Sequence, residues 1–208
     1  MAYLESKYSN QVSAKLTEDQ LAPAQVENLS YTVKKGEVLL AWSAVTKNAD
    51  GSDLTDLAGY RVYRKGKASE NFELIGSIPG DQLSYTDTSA KDGASYLYAV
   101  SAIDTEEVPN ESEKSAELAV KTIPSIPTGL TSSATKEAII LNWTSVKNET
   151  DTKLNENLAG YNIYRSETDG TGYEKIGNVA AGQTSFEDAE AILGTTYYYV
   201  ITAFDDSI

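Results

Sequence analysis

Three aspartates fall within one short stretch, Asp50-Gly-Ser-Asp53-Leu-Thr-Asp56. Calcium takes about six to eight oxygen ligands, and carboxylates at this density offer several. The spacing is not that of a helix–loop–helix calcium loop. The second half of the chain carries Asn148-Glu-Thr-Asp151 and Asn155-Glu-Asn157 instead, so the carboxylates do not recur position for position. The plain reading of Asp50, Asp53 and Asp56 is a solvated acidic turn, and the sharper one is a calcium site. Paired carboxylates also hydrolyse glycosides, but that chemistry needs a sugar held in a cleft between them, and no pattern here implies one. The chain has no histidine and no cysteine. The commonest general base, the commonest transition-metal ligand and every thiol reaction are thereby removed. Serine is plentiful, yet no Gly-x-Ser-x-Gly elbow and no phosphate-binding glycine loop occurs. Neither catalysis nor a cofactor is expected.

Tyrosine is the other residue type with chemistry to offer, at 14 against 3 phenylalanines. Its ring fits a half-buried strand while its hydroxyl reaches a partner. Tyr60 and Val62 alternate, as do Tyr161 and Ile163, so Tyr63 and Tyr164 should point away from the core. Flanked by Arg64 and Arg165, they are candidates for meeting a cell-surface glycan or a partner protein. The plainer alternative is cross-strand pairing. The formal charge of −14 repels phosphate and anionic lipid, so nucleic acid and membrane are not expected partners. No stretch approaches the roughly 20 apolar residues of a membrane span. Residues 1–8 lack an apolar run, so no signal peptide is expected there. Asn28, Asn110, Asn142 and Asn148 match the glycosylation acceptor pattern and read as chance.

The elements that must position these residues come in two copies. Ala58-Gly-Tyr-Arg-Val-Tyr-Arg64 recurs as Ala159-Gly-Tyr-Asn-Ile-Tyr-Arg165, and the offset, 159 − 58, is 101. Trp42 and Trp143, Leu29 and Leu130, Gly76 and Gly177, Tyr85 and Phe186, and Gly93 and Gly194 keep it. A period this long is a duplicated domain rather than a solenoid. Within each copy the hydrophobic period is two, as in Val38, Leu40 and Trp42 or Tyr96, Tyr98, Val100 and Ala102, which predicts strands with one face on a core. Asn48–Ser52, Pro79–Asp81 and Lys91–Gly93 supply turns between them. The strands predicted for copy one are 26–32, 37–43, 58–65, 71–77, 83–87, 94–103 and 115–122. Seven short strands in about 100 residues predict a β-sandwich. Pro124 and Pro127 lie between the copies, and a short Pro-containing linker is semi-rigid.

These residues resemble fibronectin type III domains. The family pattern is a lone Trp on the second strand, Tyr-x-Val on the third, and Gly-x-x-Tyr-x-φ-x-Val-x-Ala on the sixth, φ being apolar. Trp42, Tyr60-Arg-Val62 and Gly93 to Ala102 follow it, as do Trp143, Tyr161-Asn-Ile163 and Gly194 to Ala203. The wording Ala-Gly-Tyr-x-φ-Tyr-Arg is similar to bacterial and phage versions. The resemblance implies an all-β chain of two tandem immunoglobulin-like sandwiches. It also implies that Tyr96 and Tyr197 bond back to nearby backbone, and that Trp42, Tyr60, Tyr96, Trp143, Tyr161 and Tyr197 are structural core. No Arg-Gly-Asp stands between Asp104 and Lys114, so integrin-type adhesion has no sequence support.

The expected organisation is an arm over 1–22, one domain over 23–124 and a second over 125–208. By the offset, the last strand of the second domain would fall at 216–223, so that domain lacks it in this chain. In the arm, Val12, Ala14 and Leu16 alternate with polar residues, as one-face-buried strands do. They are candidates for an assembly strand that completes the second domain of another molecule. The function expected is a non-catalytic structural or interaction module of a surface assembly, in a phage virion or tail. The alternatives are a spacer of a secreted bacterial polysaccharide-degrading enzyme or adhesin, and a carbohydrate-binding domain. The expected location is a virion, the cell surface or the extracellular space.

Overall fold

A computed structural model describes residues 9–10, 12–13, 20–66, 69–146 and 158–205. In the first unit β1 (Ser30–Lys34) and β2 (Glu37–Ala41) form a hairpin, and β5 (Ser84–Asp87) pairs with the other side of β2. The facing sheet runs β4 (Glu73–Pro79), β3 (Leu57–Gly66), β6 (Ser95–Asp104), β7 (Leu118–Lys121). Val38 and Leu40 are buried while Glu37 and Leu39 face out, the alternation that a one-sided strand requires. Trp42, Tyr60, Val62, Tyr96, Tyr98 and Val100 close the core between the sheets. The Trp42 and Tyr60 rings meet edge to face at 5.4 Å.

The second unit repeats the plan with β8 (Thr128–Ala134), β9 (Ile139–Thr144), β10 (Leu158–Ser166), β11 (Glu174–Ala180), β12 (Ser185–Asp188) and β13 (Tyr198–Asp205). Its sheets run β12-β9-β8 and β11-β10-β13. The chain is therefore all-β, two tandem sandwiches of immunoglobulin-like, fibronectin type III topology. Among the described residues the second unit has six strands, and none lies beyond β13.

Two repeated glycines have a steric cause. A Cβ on Gly76 would sit 2.4 Å from the Tyr85 ring, and one on Gly177 would sit 2.7 Å from Phe186. Gly59 and Gly160 adjoin matching register shifts in β3 and β10, and a Cβ on either would lie 2.1 Å from a carbonyl of the neighbouring strand.

Six of the seven predicted strands of copy one lie within a few residues of β2 to β7. The first is displaced. The prediction of 26–32 follows Val26, which is indeed buried, but Asn28 has φ 55 and interrupts the strand, so β1 starts at Ser30. Ahead of it the chain runs beside residues 43–49, through Ala24 N–H to Lys47 O and Ala49 N–H to Ala22 O (both 2.9 Å) and Ser43 N–H to Glu27 O (3.1 Å). Pro23 makes the first bridge, with Asn48.

The linker is pinned to the first unit. Gly93 N–H donates to Ile123 O at 2.7 Å, Thr122 Oγ1 to Lys91 O at 2.7 Å, and Ser125 Oγ to Asp92 O at 3.2 Å. Across the joint, Lys121 Nζ lies 3.4 Å from Asp205 Oδ2.

Candidate functional site

The acidic loop ahead of β3 is organised by its own side chains. Asn48 N–H donates to Ser52 O, and Asp50 Oδ1 accepts from Ser52 N–H at 2.9 Å and Ser52 Oγ at 2.6 Å. These bonds hold the Asp50 carboxyl below the usual carboxylate value. Asp53 instead takes Lys47 Nζ at 2.5 Å, and Asp56 stands half-buried at the start of β3. The structure thus does not assemble Asp50, Asp53 and Asp56 as a calcium ligand set. Among the described residues no group of three or more Asp, Glu, His or Cys is placed to hold a metal. Asp50 is taken up by Ser52 within the turn and Asp53 by Lys47.

Tyr63 is half-buried on the outer face of the four-stranded sheet. Its hydroxyl donates to Glu111, and Arg61 also bonds that carboxylate. Ser101 Oγ donates to Glu111 Oε1 at 2.5 Å, and Lys114 Nζ lies 4.3 Å above the Tyr63 ring. Burial pushes Glu111 up, but the Ser101 and Tyr63 hydroxyls and Arg61 outweigh it and leave its pKa below the ordinary glutamate value. Burial and the bond to Glu111 raise the Tyr63 pKa. Both the ring face and the hydroxyl of Tyr63 are therefore engaged within the chain. Tyr164 is half-buried on β10, opposite Val200 and Lys175. The positions matching Arg61 and Ser101 are Asn162 and Thr202 there.

The most developed polar cluster joins the two sheets of each unit. Asp87 ends β5 in one sheet, and its side chain is 2% exposed. Arg64, on β3 of the other sheet, donates to Asp87 Oδ2 at 2.6 Å, and Tyr98, on β6, donates its hydroxyl to the same oxygen at 2.7 Å. Asp87 Oδ1 takes Ser89 N–H at 2.9 Å and Ser89 Oγ at 2.7 Å. The Arg64 guanidinium lies 4.7 Å above the Tyr96 ring. Burial alone would raise the Asp87 pKa, yet the Ser89 and Tyr98 bonds and Arg64 hold it below the usual carboxylate value. Burial and Asp87 together drive the Tyr98 hydroxyl far up. The second unit repeats the arrangement: Arg165 bonds both oxygens of Asp188 at 3.0 and 2.9 Å, Tyr199 donates to Asp188 Oδ2 at 2.7 Å, and Arg165 lies 4.7 Å above the Tyr197 ring. A carboxylate this fully saturated has no lone pair left for substrate, so the cluster fastens sheets rather than reacts. Sequence reasoning missed it, although Arg64 with Arg165 and Asp87 with Asp188 keep the 101 offset.

Of the four tyrosines expected in the core, Tyr60, Tyr96 and Tyr161 are buried, but Tyr197 is only half-buried and stands outside the second core cluster. Lys91 N–H donates to the Tyr96 hydroxyl at 3.2 Å and Ile192 N–H to Tyr197 at 3.3 Å. Val45 N–H and Val146 N–H donate to Tyr60 and Tyr161 at 3.1 and 2.9 Å. Trp143, like Trp42, is buried. Of the arm, Val12 is 80% exposed, and Ala14 and Leu16 lie outside the described residues.

No protein-family model matches the chain. It is 30% identical over 199 residues to exoglucanase B of Cellulomonas fimi, a match covering 91% of this chain and 16% of that protein. It is 34% identical over 108 residues to an amylopullulanase of Thermoanaerobacter thermohydrosulfuricus (52% of this chain, 6% of that protein). An amylopullulanase of Thermoanaerobacterium saccharolyticum matches at 33% over 85 residues, 41% of this chain and 6% of that protein. The chain thus spans a small fraction of the length of the curated relatives it matches. Among solved structures, the FN1–FN3 domains of chicken CNTN1 align over 88% of this chain and 63% of that one, at 14% identity and TM-score 0.40.

Proposed function

We propose that this chain is a non-catalytic spacer of an extracellular polysaccharide-degrading enzyme. One observation carries the reading: similar sequence forms small parts of enzymes with differently named activities, exoglucanase and amylopullulanase. A part common to both is a poor candidate for what fixes either substrate. The 85-residue match is also shorter than the 101-residue repeat, so the recurring unit there is about one sandwich. The side chains agree. The saturated Asp87 and Asp188, and the internally bonded Tyr63, hold the fold together and offer nothing to a substrate. The pinned linker suits a part that sets distance, since strands of nine to ten residues make each sandwich about 30 Å long. These relatives weigh toward the spacer and away from the virion or phage-tail role expected from the sequence.

The test is incubation of the purified chain with insoluble cellulose, amylopectin and pullulan. The expected result is no release of reducing ends and no retention on any of the three. Released sugar overturns the reading. Retention lost in Tyr63→Ala or Tyr164→Ala replaces it with carbohydrate binding.

A further inference from the structure

An aspartate followed by glycine can rearrange its own backbone. The glycine nitrogen attacks the aspartate Cγ, the N–H proton and a carboxyl oxygen leave as water, and a five-membered succinimide closes. Water then opens the ring. Entry at the former side-chain carbonyl restores aspartate, while entry at the main-chain carbonyl leaves a β-linked isoaspartate whose backbone is one carbon longer. One water is lost and one regained, so the mass of the chain is unchanged. Glycine suits the reaction because no side chain shields its nitrogen and its backbone rotates freely. The chain holds three such pairs, Asp50-Gly51, Asp92-Gly93 and Asp169-Gly170, and no Asn-Gly.

The fold treats the three unequally. Gly51 N–H donates to Asn48 O at 2.9 Å, and Asp50 Oδ1 is held by Ser52 N–H and Ser52 Oγ. Gly93 N–H donates to Ile123 O at 2.7 Å, and Asp92 Oδ1 accepts Gly36 N–H at 2.9 Å. A Cβ on Gly93 would lie 3.3 Å from Ser125 Oγ, so the linker also crowds that turn. In both pairs the attacking nitrogen and the attacked carboxyl each have a partner that must be given up before a ring can close.

Asp169-Gly170 lies at the tip of the turn between β10 and β11, beyond the last ladder pair, Arg165 with Glu174. Both residues are exposed. Among the described residues neither the Asp169 carboxylate nor the Gly170 N–H has a hydrogen-bond partner. Gly170 has φ 74, and a Cβ placed on it would meet nothing within 4 Å. Their neighbours, by contrast, are fixed by one buried hydroxyl: Ser166 Oγ accepts Thr168 N–H at 2.9 Å and donates to Thr171 O at 2.6 Å. The reacting pair is thus the unheld part of a held loop.

We propose that Asp169-Gly170 is a site of spontaneous isoaspartate formation, and that the fold protects Asp50-Gly51 and Asp92-Gly93 from the same reaction. The extra carbon falls between Thr168 and Thr171, outside the ladder, so the register of β10 with β11 survives. The carboxylate moves from a side-chain end to a stub on the main chain. This inference does not rest on the spacer reading.

The folded chain is aged in mildly alkaline buffer and digested, and isoaspartate is measured peptide by peptide through chromatographic retention and labelling with an isoaspartyl methyltransferase. The peptide holding Asp169 is expected to gain the label about tenfold faster than those holding Asp50 or Asp92, since each of the latter must first break at least two hydrogen bonds. In urea, where no turn persists, the three rates should converge. Asp169→Glu, an exposed change outside the ladder, should remove the fast product and leave the slow ones. Label appearing first at Asp50 or Asp92, equal rates at all three in the folded chain, or no label at Asp169 when the unfolded chain takes it up, each overturns the proposal. None of these outcomes touches the spacer reading, which is tested on polysaccharide.

Discussion

The two units use one plan with different degrees of enclosure. Tyr98, Val100 and Ala102 are fully buried in the first, while Tyr199 and Ala203 are half-buried in the second. Ala99 is 1% exposed and its counterpart Val200 is 36%. The substitutions are conservative, so composition does not explain this. The difference is the covering segment: β6 has Glu111 to Lys121 beside it, and β13 has no described strand on that side. Among the described residues the second unit therefore has the more open core.

The comparison breaks most visibly at the arginine–aspartate–tyrosine cluster. Removing one member of a buried ion pair costs about 3–5 kcal/mol, because the other charge is left uncompensated. Arg64→Ala should destabilise the first unit by about that amount. Arg165→Ala should cost the second less, because the Tyr199 beside it is more open to water. Trp143→Phe or Trp42→Phe backgrounds leave one indole to report each unit, and urea melts followed by tryptophan fluorescence give both values. Equal losses would remove the link between the covering strand and burial.

Next comes Gly76→Ala, which drives a methyl into the Tyr85 ring and should cost about 1–3 kcal/mol. Gly177→Ala meets Phe186 at a slightly longer distance and should cost somewhat less. Thermal melts of the two variants settle the order.

A graded effect follows from pH. Asp87 and Glu111 titrate below their unfolded values in the folded first unit. Their contribution is complete above the unfolded carboxylate range, about pH 4, and is lost as pH falls through the lower folded values. Tyr98 is shifted the other way, so its contribution is complete below about pH 10 and falls as pH rises beyond that. Unfolding temperature against pH, read through Trp42, should show a plateau with both shoulders. Asp87→Asn should flatten the acid one.

The smallest effect is expected from Tyr96→Phe, which deletes the 3.2 Å bond from Lys91 N–H and should cost about 1 kcal/mol. Tyr197→Phe, with a 3.3 Å bond, should cost no more. Denaturant midpoints at constant slope measure both.

Most of the fold was legible because a period of two survives duplication: Val38 and Leu40, or Tyr98 and Val100, name a buried face without any tertiary information. What stayed hidden needed two distant strands at once. Arg64 and Asp87 read as surface charges one by one, and only the meeting of β3, β5 and β6 makes them partners. Tyr63 was rightly read as facing away from the core, but alternation says nothing of Glu111, 48 residues away, arriving over it. Asn28 was missed for a different reason: its left-handed backbone is a local choice that hydrophobic spacing does not encode.

The bonds at the two ends of the first unit have a mechanical consequence. Residues 22–27 enter alongside 43–49, and β7 leaves alongside β6, each antiparallel to its neighbour. Tension applied through the chain ends pulls both segments along their own axes. Their hydrogen bonds are then sheared in parallel and must yield together, whereas a peeled strand gives way one bond at a time. A tether built this way passes a tug from one end to the other before it lengthens, and keeps what it joins at a fixed stand-off while under strain.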